Sequence, residues 1–250
     1  MDNKQQLNNQ ARRQFLGKLA GVTGVALAPG FVLHQVANAK APEDAVTNKV
    51  RWGMLINTNK CATGCNDCVT ACEKENGWGS ASENESHSSA QQKAQWIRKV
   101  TLTDKQTGHV NSLPLMCQHC ETPPCVDVCP TGASMKREDG IVLVDKHTCI
   151  GCRYCMMACP FKARSFIHEE LKNQSVNAPR GLGTVESCTM CVHRVDDDKT
   201  PACVEACSSA MTFGDLNDPN SEISIQLKQN GGEQIRADLG LNTGVRYQGL

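Results

Sequence analysis

Sixteen of the 250 residues are cysteine, and they fall into four groups of four with none left over. The first is Cys61-x3-Cys65-x2-Cys68-x3-Cys72 and the second Cys117-x2-Cys120-x4-Cys125-x3-Cys129. The third is Cys149-x2-Cys152-x2-Cys155-x3-Cys159, followed by Pro160, and the fourth is Cys188-x2-Cys191-x11-Cys203-x3-Cys207. Each group asks for a tight turn that gathers three thiols, then a short helix that carries the fourth away. Aromatic residues make up only 4% of the chain. A chain this long normally fills its core with more aromatic area than that. Part of the interior is therefore expected to be occupied by something other than side chains.

Three other chemistries use such cysteines. An even count suits a disulfide framework, but close-spaced thiols on one tight turn seldom reach bridge geometry with each other. Zinc sites pair two separated C-x2-C units, without a third cysteine at +3 and a fourth at +4. Cys61-x3-Cys65-x2-Cys68 alone reads as the motif of radical enzymes that leave one iron open, yet Cys72 completes the quartet and three more quartets follow. No C-x-x-C-His is present, which argues against covalent haem. His119 and His193 lie beside quartets; as all four quartets are complete in cysteine, both are expected to be neighbours of the sites rather than ligands.

The third quartet is the run of bacterial ferredoxins, in which three thiolates hold one [4Fe–4S] cube and the fourth ligates the other. Cys129-Pro130 repeats that ending, and the second and fourth quartets are the same motif with a stretched middle gap. Four quartets accommodate four [4Fe–4S] clusters with all sixteen cysteines as ligands.

The chain opens on a different signal. Arg12-Arg13-Gln14-Phe15-Leu16 precedes an apolar Gly/Ala-rich segment to Val36 and a small-x-small site, Ala37-Asn38-Ala39. That is the order of an export signal, and the paired arginines resemble the twin-arginine type, which carries folded proteins. Residues 1–39 are expected to be removed after Ala39. This takes away four of the 26 Lys/Arg and one of the 26 acids, leaving a formal charge of −3. That charge gives no argument for nucleic acid. Mean hydropathy is −0.39, and after Ala39 no run approaches the ~18 apolar residues of a membrane span. The mature chain is expected in the periplasm, held at the membrane by partners.

Between the motifs, residues 50–58, 96–103 and 140–145 read as strands. Short helices are expected at residues 68–75, 124–129, 153–159 and 202–207. Residues 73–95, rich in Ser, Glu, Asn and Gly, read as an exposed loop. Asp196-Asp197-Asp198 reads as a solvated loop rather than a cytochrome-docking patch. Residues 221–250 read as an extended tail too polar for a core. Leu241, Val245 and Tyr247 in it are expected to dock a membrane subunit.

The quartet layout, Cys117-Gln-His-Cys120-Glu-Thr-Pro-Pro-Cys125 and Pro201-Ala-Cys203-Val-Glu-Ala-Cys207 resemble the four-cluster ferredoxin-type subunits of respiratory membrane complexes. These include the electron-transfer subunits of dimethyl sulfoxide, polysulfide, tetrathionate and formate-dependent nitrite reductases. Residues 145–169 (DKHTCIGCRYCMMACPFKARSFIHE) and 214–221 are most similar to the iron–sulfur subunits of the Dsr transmembrane complexes linked to dissimilatory sulfite reductase. The resemblance covers nearly all of residues 50–220. It implies an α+β fold of two ferredoxin-like lobes, related by a pseudo-twofold and nested in sequence, within residues 40–220. Small sheets and short helices would surround the cubes. One lobe would hold quartets 61–72 and 188–207, the other quartets 117–129 and 149–159. The implied ligand sets are Cys61, Cys65, Cys68 and Cys207; Cys188, Cys191, Cys203 and Cys72; Cys117, Cys120, Cys125 and Cys159; and Cys149, Cys152, Cys155 and Cys129. The resemblance also implies an electron-transfer subunit with no catalytic residues of its own. Its partners would be an integral-membrane quinone-interacting subunit, with a multihaem cytochrome c or a molybdopterin catalytic subunit.

Overall fold

An unbroken apolar run, Met54-Leu55-Ile56, lies at the centre of the fold. These residues are buried to 2% exposure or less, as a strand is when both edges and both faces are covered. A computed structural model describes residues 26–28, 31–32, 45–79, 89, 92–108, 110–172 and 174–250 of the protein. Arg12-Arg13 and the site at residues 37–39 lie outside them. Met1–Ala45 and Val46–Leu250 are separate units; in the first, Ala26–Ala28 pairs antiparallel with Phe31–Val32.

The second unit runs β1 (Trp52–Asn57), α1 (Asp67–Asn76), β2 (Ile97–Thr103), β3 (Val110–Met116), α2 (Pro124–Asp127), β4 (Ser134–Lys136) and β5 (Val142–Val144). It continues through α3 (Tyr154–Ala158), β6 (Ser165–Phe166), β7 (Val185–Glu186), α4 (Val192–Val195), α5 (Ala202–Ala206), β8 (Met211–Asp215), α6 (Glu222–Asn230) and β9 (Val245–Gln248). The elements are short and mixed, α+β, with small sheets. β1 is the middle of a three-stranded sheet, antiparallel to β8 and parallel to β9. β2–β3, β4–β5 and β6–β7 are separate two-stranded ladders. α1 packs on α5, and α2 on α3, so helices of the first and fourth quartets meet, as do those of the second and third.

Strands and helices stand within a residue or two of their expected positions, but the reading of residues 221–250 as an extended, coreless tail is corrected. Ser221 caps α6, its Oγ accepting from Ser224 N at 3.3 Å, as an N-cap serine does. β9 lies in register with β1, Val245 opposite Met54 and Tyr247 opposite Ile56. Val245 and Tyr247 are both 0% exposed, so they cannot dock a partner; Leu241 is half-buried against the same core. The reason is strand period: Arg246 and Gln248 face outward and made the stretch look polar, while the alternate residues face in. The exposed-loop reading of residues 73–95 is corrected at its ends. α1 continues to Asn76, and Asn76, Trp78 and Ala94 are 4% exposed or less.

Residues 165–186 are pinned by a buried ion pair. Arg180 donates from Nε and Nη2 to the Glu186 carboxylate at 3.0 and 2.7 Å, with both side chains 0% exposed. Arg180 Nη1 also donates to the Gly77 carbonyl at 3.2 Å, tying this segment to the end of α1. Glu186→Gln removes the balancing charge and should cost about 3–5 kcal/mol in denaturant unfolding, whereas replacing both partners by Met should cost much less. A loss below about 1 kcal/mol for Glu186→Gln would contradict this account.

Candidate metal centre

Each quartet opens on a turn, and each of the four turns contains left-handed backbone; in the first it is Gly64, with φ +82°. In the third, Gly151 has φ +71°, and a Cβ there would lie 2.2 Å from the Gly183 carbonyl oxygen, so no side chain fits. Arg153 (φ 66°) follows. In the fourth, Met190 and Cys191 have φ 55° and 50°; in the second, His119 has φ 43°. In the fourth quartet's turn Met190 N donates to Cys188 Sγ at 3.4 Å, and beyond the second quartet Ser134 N, at the start of β4, donates to Cys129 Sγ at 3.3 Å.

All sixteen cysteines are free thiols. Among the described residues no three His, Cys, Asp or Glu side chains stand close enough to share a single metal ion. Burial and then the neighbouring Cys207 and Cys61 push the Cys68 thiol up to about 12; Cys207 is raised by burial and by Cys65. Cys72, Cys188 and Cys203 are raised well above the ordinary thiol value, by burial and then chiefly by sulfurs of the set Cys72, Cys188, Cys191 and Cys203. Cys117 and Cys120 are pushed up to about 12 by burial, with Cys125 and Cys159 adding to it. Cys155 is raised by burial and by Cys149 and Cys129, against the pull of Arg164. Cys152 is exposed at the surface. Sulfurs of different sets also act on one another electrostatically: Cys68 raises Cys203, Cys117 raises Cys188 and Cys155 raises Cys125.

These thiols suit a bound iron–sulfur group on several counts. Burial holds Cys68, Cys72, Cys117, Cys120, Cys188 and Cys203 protonated until a strong cation displaces the protons, as metal ligation requires. Donors already face the sulfurs. Trp78 Nε1 donates to Cys72 Sγ at 3.2 Å, Asn76 Nδ2 to Cys72 Sγ at 3.5 Å and Cys191 Sγ at 3.7 Å. Lys99 Nζ donates to Cys61 Sγ at 2.6 Å, and Arg164 Nη2 to Cys125 Sγ at 3.1 Å. Such donors tune an iron–sulfur site. Spacing carries no signal for them: Lys99 lies on β2, thirty-eight residues from its sulfur, and Arg164 follows its quartet as one basic residue among several.

His119 is 2% exposed, with Nδ1 accepting from Val142 N at 3.0 Å and Nε2 unpartnered. Burial lowers its pKa to about 3, so it is neutral and carries its proton on Nε2 as a donor. His193 Nε2 meets Glu75 Oε1 at 2.8 Å. The Asp196–Asp198 stretch is not wholly solvated, because Asp196 accepts from Arg137 Nη2 and Nη1 at 2.7 and 2.9 Å.

Two family models for a 4Fe–4S dicluster domain match, over residues 60–133 and 108–216. The Hdr-like menaquinol oxidoreductase iron–sulfur subunit 1 of Archaeoglobus fulgidus is 41% identical over 96% of this chain and 98% of its own. This chain belongs to the 4Fe–4S dicluster family of oxidoreductase iron–sulfur subunits. Other relatives agree: a tetrathionate reductase subunit of Salmonella typhimurium is 35% identical over 97% of this chain and 89% of its own. Protein NrfC of Escherichia coli is 38% identical over 92% and 91%. Like a dicluster protein, and unlike a catalytic one, the chain serves electron transfer. No helix among its described residues is long and apolar enough to cross a membrane.

Proposed function

We propose that the chain is a periplasmic relay of four [4Fe–4S] clusters that passes electrons between a membrane quinone-interacting subunit and a further redox subunit. The observation that carries this reading is the packing of the quartet helices in pairs, α1 on α5 and α2 on α3, with sulfurs of successive thiol sets acting electrostatically on one another. Cys61, Cys65, Cys68 and Cys207 adjoin Cys72, Cys188, Cys191 and Cys203 through Cys68 and Cys203. These adjoin Cys117, Cys120, Cys125 and Cys159 through Cys188 and Cys117. The last step, through Cys125 and Cys155, reaches Cys129, Cys149, Cys152 and Cys155. The pairing of first with fourth and second with third quartets is also the arrangement of two nested ferredoxin-like lobes. A [4Fe–4S] group held by four thiolates takes up and releases one electron at a time and offers no open iron to substrate. The chain's own work is to hold the thiolates, exclude water from most of them, and aim N–H donors at their sulfurs.

One end of the relay meets the surface. Cys152 is exposed, and Ile150, Met157 and Tyr154 around it are 68%, 66% and 53% exposed. Apolar side chains uncovered beside a ligand suit an apolar partner there, and we assign this end to the membrane subunit. The A. fulgidus relative is named as a menaquinol oxidoreductase subunit, which favours a quinone-linked complex; the resemblance of residues 145–169 and 214–221 to Dsr subunits points to sulfur metabolism. The tetrathionate reductase relative supports a second reading, a molybdopterin reductase subunit. Twin-arginine export would deliver the protein folded and loaded.

Fractionation followed by iron and acid-labile sulfide analysis tests this directly. The periplasmic face should yield protein with about sixteen iron and sixteen sulfide per chain, four cubes' worth. Eight or fewer of each, or loaded protein confined to the cytoplasm, would refute it.

A further inference from the structure

Arg164 is 5% exposed and lies where two thiol sets meet. Its Nη2 donates to Cys125 Sγ at 3.1 Å and to Ser134 Oγ at 2.8 Å. Ser134 N in turn donates to Cys129 Sγ at 3.3 Å. Cys125 belongs to the set with Cys117, Cys120 and Cys159, whereas Cys129 and Cys155 belong to the set with Cys149 and Cys152. One buried cation thus donates directly to a sulfur of the first set and reaches a sulfur of the second through Ser134. Burial works against its charge, and the sulfurs of Cys125, Cys117 and Cys155 favour it once they carry negative charge, as they do when ligating metal. Nε and Nη1 are buried with no hydrogen-bond partner in the chain. Buried donors are almost always satisfied, so these two are left for an acceptor the chain does not itself supply. The sulfur atoms of a cluster are such acceptors.

We propose that Arg164 is the positioning residue that raises, together, the reduction potentials of the two clusters held by the second and third quartets. The inference rests on the four-cluster reading above. Adding one electron to a cluster adds one negative charge; no bond forms or breaks and no proton moves. A fixed positive charge in contact with one ligand set, and one serine away from the other, stabilises each reduced form. It also screens the repulsion that an electron on one exerts on its neighbour. Charge and N–H donation to the sulfurs are the levers by which a protein sets such potentials. Among the described residues Arg164 makes no hydrogen bond to a cysteine of the first or fourth quartet.

The test is redox potentiometry, followed by EPR, on the purified, cluster-loaded full chain. Signals of the pair are those lost in Cys159→Ser and Cys129→Ser. Arg164→Gln keeps a polar side chain and removes the charge. At a fixed poise it should shift the oxidised-to-reduced ratio of both clusters of the pair at least tenfold toward oxidised, about 59 mV for a one-electron couple. The other two clusters should not move. Arg164→Lys keeps the charge and should stay within threefold of the unaltered protein. An unmoved pair in Arg164→Gln, an equal shift of all four clusters, or a Lys variant shifted as far as the Gln variant would overturn the proposal. If Arg164→Gln fails to hold the pair, Arg164→Lys decides alone. Retained clusters near the original potentials support the proposal, and loss of the clusters there too assigns Arg164 to shape instead. Iron and sulfide in the unaltered protein separate the two ideas: too few clusters refutes the relay, whereas a full complement with unmoved potentials refutes only Arg164's role.

Discussion

Tyr247→Ala should bring the chain close to unfolding. The ring is 0% exposed, and emptying such a site costs about 3–5 kcal/mol. The hydroxyl adds to this. It donates to the Pro114 carbonyl at 3.0 Å and accepts from Gln118 Nε2 at 3.1 Å, and a stranded buried polar group costs about 1–3 kcal/mol. The sum is comparable with the whole stability of a typical domain, about 5–15 kcal/mol. Tyr247→Phe, which keeps the ring, should lose only the hydroxyl's share. The same strand holds down the turn of the second quartet. Gly244 N donates to the Gln118 and His119 carbonyls at 2.8 and 3.1 Å, and Glu121 N to Leu241 O at 3.0 Å. Truncation after Leu241 should therefore lose iron, starting with the cluster assigned to Cys117, Cys120, Cys125 and Cys159. Denaturant unfolding and iron analysis check both. A truncated chain that keeps all its iron and merely leaves the membrane would restore the docking role that burial denies to Val245 and Tyr247.

That tail shows where sequence reading stops. The quartets were legible because thiol spacing reflects a local turn and a helix, and α1, α2, α3 and α5 follow within residues of them. β1 was legible as an apolar run. β9 was not: Val245-Arg246-Tyr247-Gln248 has only two inward positions, too short for alternation to stand out among polar neighbours. Its burial comes from β1, nearly two hundred residues away in sequence. Trp78 was hidden likewise by the Ser, Glu and Asn that follow it, although it packs in the core and donates to Cys72. The donors to sulfur share this non-local origin. Lys99 reaches Cys61 from a strand, and Arg164 reaches Cys125 across 39 positions. Spacing specifies who could be a ligand; it says little about what surrounds the ligand.

Ligand exchange between quartets gives the other large effect. Cys72→Ser should abolish a cluster assigned mainly to the fourth quartet, leaving the one assigned to Cys61, Cys65 and Cys68. Cys72 lies on α1, which packs against α5. The sulfurs that raise it most are Cys203 and Cys191, both of the fourth quartet. Trp78 and Asn76 fix its position with hydrogen bonds at 3.2 and 3.5 Å. Serine is a poorer iron ligand and would leave the indole N–H without its sulfur. Cys207 offers the reciprocal case, since it is raised by Cys65 from the opposite quartet. Iron loss in paired variants tests the exchange without assigning any spectrum. Cys72→Ser combined with Cys191→Ser should lose no more iron than either alone, about four atoms per chain, because both empty one site. Cys72→Ser combined with Cys61→Ser should lose about twice that, because they empty two. The opposite pattern, additive with Cys191 and not with Cys61, would place Cys72 on its own quartet's cluster and would undo the first-with-fourth pairing.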